Sequence, residues 1–402
     1  MRRYQLLNLA LIGLLAVACG SVHGIATSPS TASASRSAPV VTAFPVPTTY
    51  PVPTTASSAR LQSPCPALQP APQFPASAPS SRSLALVTLR GSNQQVVRDI
   101  TDITHATTVS TVGTIRQPQF VSATDLSYID HVDGQDADSL MRMSVAGSSK
   151  TLVASSCQGV IVFAWSPNGS TAAYVADVTD YTSYGASELH LVAGGQNRLA
   201  SSMPYLIGGC ETQACANSSD VRLSYSPDGG FISLVQSFGG PNFRLWTSDG
   251  KLLKSNEPHM AYRMSAWSGT SLYFVDASGV AVWRDGVVSS FLPGVFWLRP
   301  KGSPAGGQIV YAVRDRDGWA HTYVVDTASG NVRELNKARA EPAFLTSRYI
   351  WYEGERSCVA ADQCDSSLPV ITSGKTYIYD LQDGTETESV ITGVADVWPH
   401  PA

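Results

Sequence analysis

The chain has 402 residues, 43% hydrophobic and 14% charged, with a formal net charge of −4. That length holds one large domain or two ordinary ones. No basic stripe interrupts the slightly acidic balance, which excludes general nucleic-acid binding.

The first 20 residues read as a targeting segment. Arg2 and Arg3 form a positive start, and an apolar run from Leu6 to Ala18 follows, broken only by Asn8. At about 13 residues the run is too short to span a bilayer as a helix. It ends in Ala16-Val17-Ala18-Cys19, which resembles a bacterial lipobox. The resemblance implies a signal peptide over 1–18, cleavage before Cys19, and a lipid on its sulfur. Arg2-Arg3 also raises twin-arginine export, which the following Tyr4-Gln5-Leu6 matches weakly. Two acyl chains give stable anchoring where one is marginal.

Residues 19–82 are expected to form the lipidated cysteine and a linker. Pro, Ser, Thr and Ala dominate it, no acid precedes Asp99, and FPVPTTYPVPTT (44–55) is nearly a repeat. Such a composition buries too little apolar surface to fold, and its prolines favour extended polyproline II.

From residue 83 to 402 the texture becomes short alternating runs separated by turns, the all-β pattern. FAWSPNGSTAAYV (163–175) sets the theme, RLSYSPDGGFISLV (222–235) repeats it, and MSAWSGTSLYFVD (264–276) carries a degraded copy. Each is an apolar strand ending on an aromatic, a tight turn with Pro or Gly, and a second apolar strand. Pro presets φ near −65° and Gly supplies positive φ, so the chain reverses at once. A unit this small cannot bury its apolar face alone, and recurrence at roughly 40 to 60 residues implies blades packed side by side. First strands are expected at Phe120, Trp165, Tyr225, Trp267, Trp297, Phe344 and Trp398. That is a seven-bladed β-propeller, with six left open by the short spacing between Trp267 and Trp297. The end VADVWPHP (394–401) lacks a unit of its own, while the unit at Leu84 lacks a first strand. Pairing the two termini would close the ring and remove exposed sheet edges.

The W-S-P-[ND]-G pattern, with TAAYV or FISLV after it and RLWTSDG (244–250) further on, resembles the TolB-type WD-like propeller repeats of bacterial envelope proteins. The resemblance covers residue 84 to the end, strongest at Trp165 and Tyr225. It implies a fold and leaves the function open. The marker aromatics are expected to pack between neighbouring blades.

Seven cysteines less Cys19 leave six, an even number suited to an oxidising compartment. Cys210 with Cys215 and Cys358 with Cys364 would close short loops, and Cys65 with Cys157 would tie the linker to the body. Six cysteines allow 15 connectivities, so this pairing stays an expectation. Asp130, Asp133, Asp136 and Asp138 around Gly134 offer hard oxygen donors that could hold Ca²⁺. A solvated hairpin tip explains them as well. No other cofactor is implied. There is no GxSxG elbow and no room after the repeats for a hydrolase domain. The histidines are scattered, none beside a nucleophile in sequence.

The expected function is a lipid-anchored, outward-facing binding module for an envelope protein or glycan. Its contact surface would be the cysteine-bearing insertions and the loop of Tyr181 and Tyr184. The rival is a propeller enzyme, of metal-dependent lactonase or lyase type, with its site at the central channel.

Overall fold

The computed structural model describes residues 71–89, 94–130, 138–147, 149–155, 160–177, 186–204, 221–236, 242–255, 263–314, 319–355 and 372–400. Apart from one 3-10 turn at Ile103–His105, the regular structure there is entirely β. Blade 1 contains β1 (Leu84–Thr88), β2 (Gln95–Asp99) and β3 (Thr107–Gly113). Blade 2 contains β4 (Arg116–Phe120), β5 (Asp125–Asp130), β6 (Ser139–Ser144) and β7 (Lys150–Ser155). Blade 3 contains β8 (Val160–Trp165), β9 (Ala172–Asp177), β10 (Ala186–Ala193) and β11 (Gln196–Pro204). Blade 4 contains β12 (Val221–Tyr225), β13 (Phe231–Gln236), β14 (Asn242–Thr247) and β15 (Leu252–Ser255). Blade 5 contains β16 (Arg263–Ser268), β17 (Ser271–Asp276), β18 (Gly279–Arg284) and β19 (Val287–Pro293). Blade 6 contains β20 (Leu298–Gly302), β21 (Gln308–Arg314), β22 (Ala320–Asp326) and β23 (Val332–Lys337). Blade 7 contains β24 (Arg339–Phe344), β25 (Tyr349–Glu355), β26 (Thr372–Asp380) and β27 (Thr385–Ser389). The last strand, β28 (Val394–Trp398), returns to blade 1, whose order is β28-β1-β2-β3.

All seven sheets are four-stranded and antiparallel, arranged as a ring, so the expectation of seven blades holds and six is excluded. The first strand of each blade lies innermost. β28 touches β4, β8 touches β12, and β20 touches both β16 and β24. Closure is as the two chain ends imply. Leu84 pairs with Trp398 and Leu86 with Asp396, which leaves β1 with a partner on both sides.

The blades hold together through the apolar faces they share. β8, VIVFAW, is buried along its whole length because blades flank it on both sides. Phe163 and Trp165 face Ile129, Leu140 and Val153 of blade 2. Val162 and Ala164 face Leu223, Tyr225 and Ile232 of blade 4. Each fully buried aliphatic or aromatic side chain contributes about 1.5–3 kcal/mol, so the inter-blade seams are the core. The marker aromatics Phe120, Trp165, Tyr225, Trp267, Phe344 and Trp398 are all buried, as expected.

The turn after each inner strand shows why Ser-Pro-Asn/Asp-Gly recurs. The Ser166 N–H donates to the Thr171 carbonyl at 2.9 Å, and the Gly169 N–H donates to the Ser166 carbonyl at 2.8 Å. The Ser226 turn repeats both bonds, to Phe231 and from Gly229. Gly169 and Gly229 have φ of 68° and 74°, the left-handed region that penalises a Cβ.

One expectation needs correction. Trp297 precedes β20 and is not its marker. Ser303 makes the same two turn bonds, to Gln308 and from Gly306, which puts Gly302 in the marker position. The missing bulk comes from the preceding connection. Trp297 is 1% exposed, donates its indole N–H to the Met264 carbonyl at 3.0 Å, and lies against Tyr311 at 5.3 Å. It fills the seam between blades 5 and 6 that a strand aromatic fills elsewhere.

Part of the segment read as linker also lies on the blades. The Ala71 N–H donates to the Gly195 carbonyl at 3.1 Å and the Ser77 N–H to the Asn168 carbonyl at 2.7 Å. Phe74 meets Trp165 edge-on at 5.1 Å, and the Arg142 guanidinium sits over both rings, 4.9 and 5.1 Å away. This strap crosses the face formed by the β8–β9 and β10–β11 turns. The strand ends joined by 205–220 and 356–371 open on the opposite face.

Candidate functional site

Four inner strands share a backbone irregularity. In β4, β16, β20 and β24 the pairing with the next strand skips a residue. The residue three before the marker position then takes a left-handed backbone: Gln117 (φ 48°), Met264 (39°), Arg299 (49°) and Glu341 (53°). Non-glycine residues rarely adopt this conformation, and such strain gathers where a side chain must be re-aimed. In three of the four, proline follows: Pro118, Pro300 and Pro342. Proline lacks the N–H a ladder needs, so it belongs on a bulged edge such as this one.

Charge converges on the lumen from four blades. Arg222 comes from β12, Arg299 and Lys301 from β20, Glu341 from β24 and Asp396 from β28. The carboxylates are already engaged. Glu341 accepts from Arg299 Nε at 3.1 Å. Asp396 accepts the Phe120 N–H at 2.6 Å and faces His400 Nε2 at 3.1 Å, which ties β28 to the neighbouring blade. Arg222 reaches across the ring, with Nη1 3.5 Å from the Ser265 carbonyl and 3.5 Å from the Pro300 carbonyl, both long contacts. Among the described residues, the Lys301 ammonium has no hydrogen-bond or ion-pair partner.

This crowding sets the electrostatics. The Arg222 guanidinium first, and burial second, push the Lys301 ammonium down to about 7, against the weaker pull of Asp396 and Glu341. Burial followed by repulsion from Arg299 lowers Arg222 itself. One strand outward, burial and then Glu341 raise the Glu353 carboxyl, so it offsets less positive charge. By exposed surface, Arg222 and Lys301 are both part-buried. The Gln117 and Gln119 amides donate to the Ile161 and Phe163 carbonyls, both at 3.1 Å, and complete the polar wall.

The residues singled out by sequence fare differently. Cys19, Cys65, Cys157, Cys210, Cys215, Cys358 and Cys364 lie outside the described residues, as do Asp133, Asp136, Tyr181 and Tyr184. Asp130 ends β5, and Asp138 is held by Arg116 Nη1 at 3.0 Å. Among the described residues no group of three His, Cys, Asp or Glu side chains is placed to hold a metal. His105 bonds Asp102, His190 is buried against Glu188, and His321 faces Glu334. Of the described histidines, His400 alone adjoins the lumen charges. Sequence reasoning missed Arg222, Arg299, Lys301, Glu341 and Asp396. The signal available was Gln-Pro, Arg-Pro and Glu-Pro at one offset within three inner strands.

No protein-family description matches the chain, and no curated protein does. Many solved structures do. TolB from Acinetobacter baumannii is 15% identical, with 76% of this chain and 78% of that one covered and a TM-score of 0.40. A prolyl endopeptidase is 11% identical, with 78% and 49% covered and a TM-score of 0.51. The periplasmic gluconolactonase of Pseudomonas aeruginosa is 14% identical, with 79% and 98% covered and a TM-score of 0.46. At such identities the likeness concerns the fold alone. Among the described residues no helix is long and apolar enough to cross a membrane.

Proposed function

We propose that the chain is a lipid-anchored, extracytoplasmic propeller that acts as a binding module of the bacterial envelope, taking part of a protein or glycan ligand into its lumen. One observation carries this reading: among the described residues, three cations converge on the lumen while the two carboxylates there are already bonded. Such a site favours holding a ligand. The lipobox-like Cys19 and the Pro/Ser/Thr-rich segment support an anchored position outside the cytoplasm.

A second reading has one observation in its favour. Lys301, held near 7, has the proton affinity of a general base, which suits a lactonase or lyase. Co-purification from gently solubilised envelopes separates the two. A stoichiometric partner that follows the full chain, and not a chain ending near residue 70, supports the binding module. No partner, together with a melting shift of several degrees in Ca²⁺ that chelator reverses, would favour the enzyme.

A further inference from the structure

We propose that Arg222 and Lys301 together form a receptor for one oxyanion group, carboxylate or tetrahedral, on the ligand that enters the lumen. The inference rests on the binding-module reading and specifies its chemistry.

Two cations brought together in a confined space are unfavourable unless an anion joins them. The described residues of the lumen provide none to spare. Glu341 is spent on Arg299, and Asp396 on the Phe120 N–H and His400. Glu353, behind them, has its carboxyl raised towards the neutral form. Among the described residues Arg222 has only two carbonyls, both at 3.5 Å, so its fork is not saturated there by strong bonds. A guanidinium forms two parallel bonds to an oxyanion where geometry allows, and an ammonium supplies a third donor as a point charge. An arriving oxyanion would replace weak carbonyl contacts with charge-assisted ones. It would also relieve the repulsion that lowers Lys301.

The surroundings suit a ligand better than a structural brace. The groups come from β12 and β20, two blades apart, so no local turn requires them to meet. Among the described residues the Lys301 ammonium holds nothing in place. The φ of 49° at Arg299 belongs to a bulge that also brings Pro300 and Lys301 to the rim of the lumen.

The test is calorimetric titration of the full chain in detergent with sodium sulfate, then with sodium acetate, at constant ionic strength. Sulfate keeps its charge between pH 6 and 8.5, so any pH dependence belongs to the protein. The charged and titratable groups that face Lys301 are Arg222, Arg299, Glu341 and Asp396, with His400 beside Asp396. Lys301→Arg keeps the charge and isolates the lysine from that histidine. We expect one saturable site whose affinity falls about tenfold as Lys301 loses its proton. Lys301→Met should bind about tenfold more weakly, with no lysine-dependent pH effect. Lys301→Arg should bind well at both pH values, and Arg222→Met should weaken binding as well. Variant-sensitive acetate binding identifies a carboxylate, and variant-sensitive sulfate binding a tetrahedral group. Saturable binding of neither anion, or equal affinity in wild type and Lys301→Met, overturns the proposal. If a partner still follows the blades in co-purification, that failure ends the oxyanion site and leaves the binding module standing.

Discussion

Arg222 and Pro300 belong to inner strands two blades apart, yet the Arg222 guanidinium lies 3.5 Å from the Pro300 carbonyl. The contact places the guanidinium beside Lys301, the residue after Pro300. Because Arg222 is the largest influence on Lys301, its removal should release the lysine. NMR of the labelled Lys301 side chain should show a midpoint near 7 in wild type and a clearly higher one in Arg222→Met. An ordinary lysine midpoint in wild type would contradict this account.

Stability should carry the same signature. A lysine whose folded pKa lies near 7, below the ordinary lysine value of 10.5, binds fewer protons folded than unfolded between those values. Stability therefore rises with pH across that window, and the penalty is fully present below it. Lys301→Met removes both the penalty and the rise. Chemical denaturation at pH 7 and pH 10 should show the variant more stable at pH 7, with the difference shrinking at pH 10.

Asp396 closes the ring as much as it charges the lumen. Asp396→Ala strands the Phe120 N–H at the seam between blades 1 and 2 and should cost about 1–3 kcal/mol. Asn keeps an acceptor oxygen, so Asp396→Asn should lose less. Urea unfolding of both variants checks the order, and equal losses would remove the Phe120 bond as the cause.

The strap predicts where a protease stops. Phe74→Ala removes the edge contact with Trp165 and one of the two rings beneath Arg142, at a cost of about 1–2 kcal/mol. Limited proteolysis of wild type should leave a core that begins near Ala71. In Phe74→Ala the boundary should move towards Ser83.

The propeller was legible because its determinants are local. Proline and glycine fix the turn, an aromatic ends the strand, and apolar alternation marks what is buried. Where a local marker was replaced, reading failed locally. In Gly302-Ser303-Pro304-Ala305-Gly306 a glycine stands for the aromatic and an alanine for the acid, so Trp297 looked like the marker. The lumen was illegible for a different reason. Arg222, Lys301 and Asp396 meet only after seven blades close on one another, and no spacing along the chain encodes that meeting. The partial clue was proline in strands that otherwise read as buried. Its meaning, a bulge with a left-handed residue before it, depends on which edge of each sheet faces the axis.

The most direct measurement is site-specific photo-crosslinking in intact envelopes. A photoreactive side chain at Ala395, exposed on the inner strand β28, would report the lumen. One at Val287, 66% exposed on the outermost strand β19, would report the rim. The account predicts a discrete adduct from Ala395 that Lys301→Met diminishes, and none from Val287. An adduct from Val287 alone, or one from Ala395 unaffected by Lys301→Met, would contradict recognition by the charged lumen.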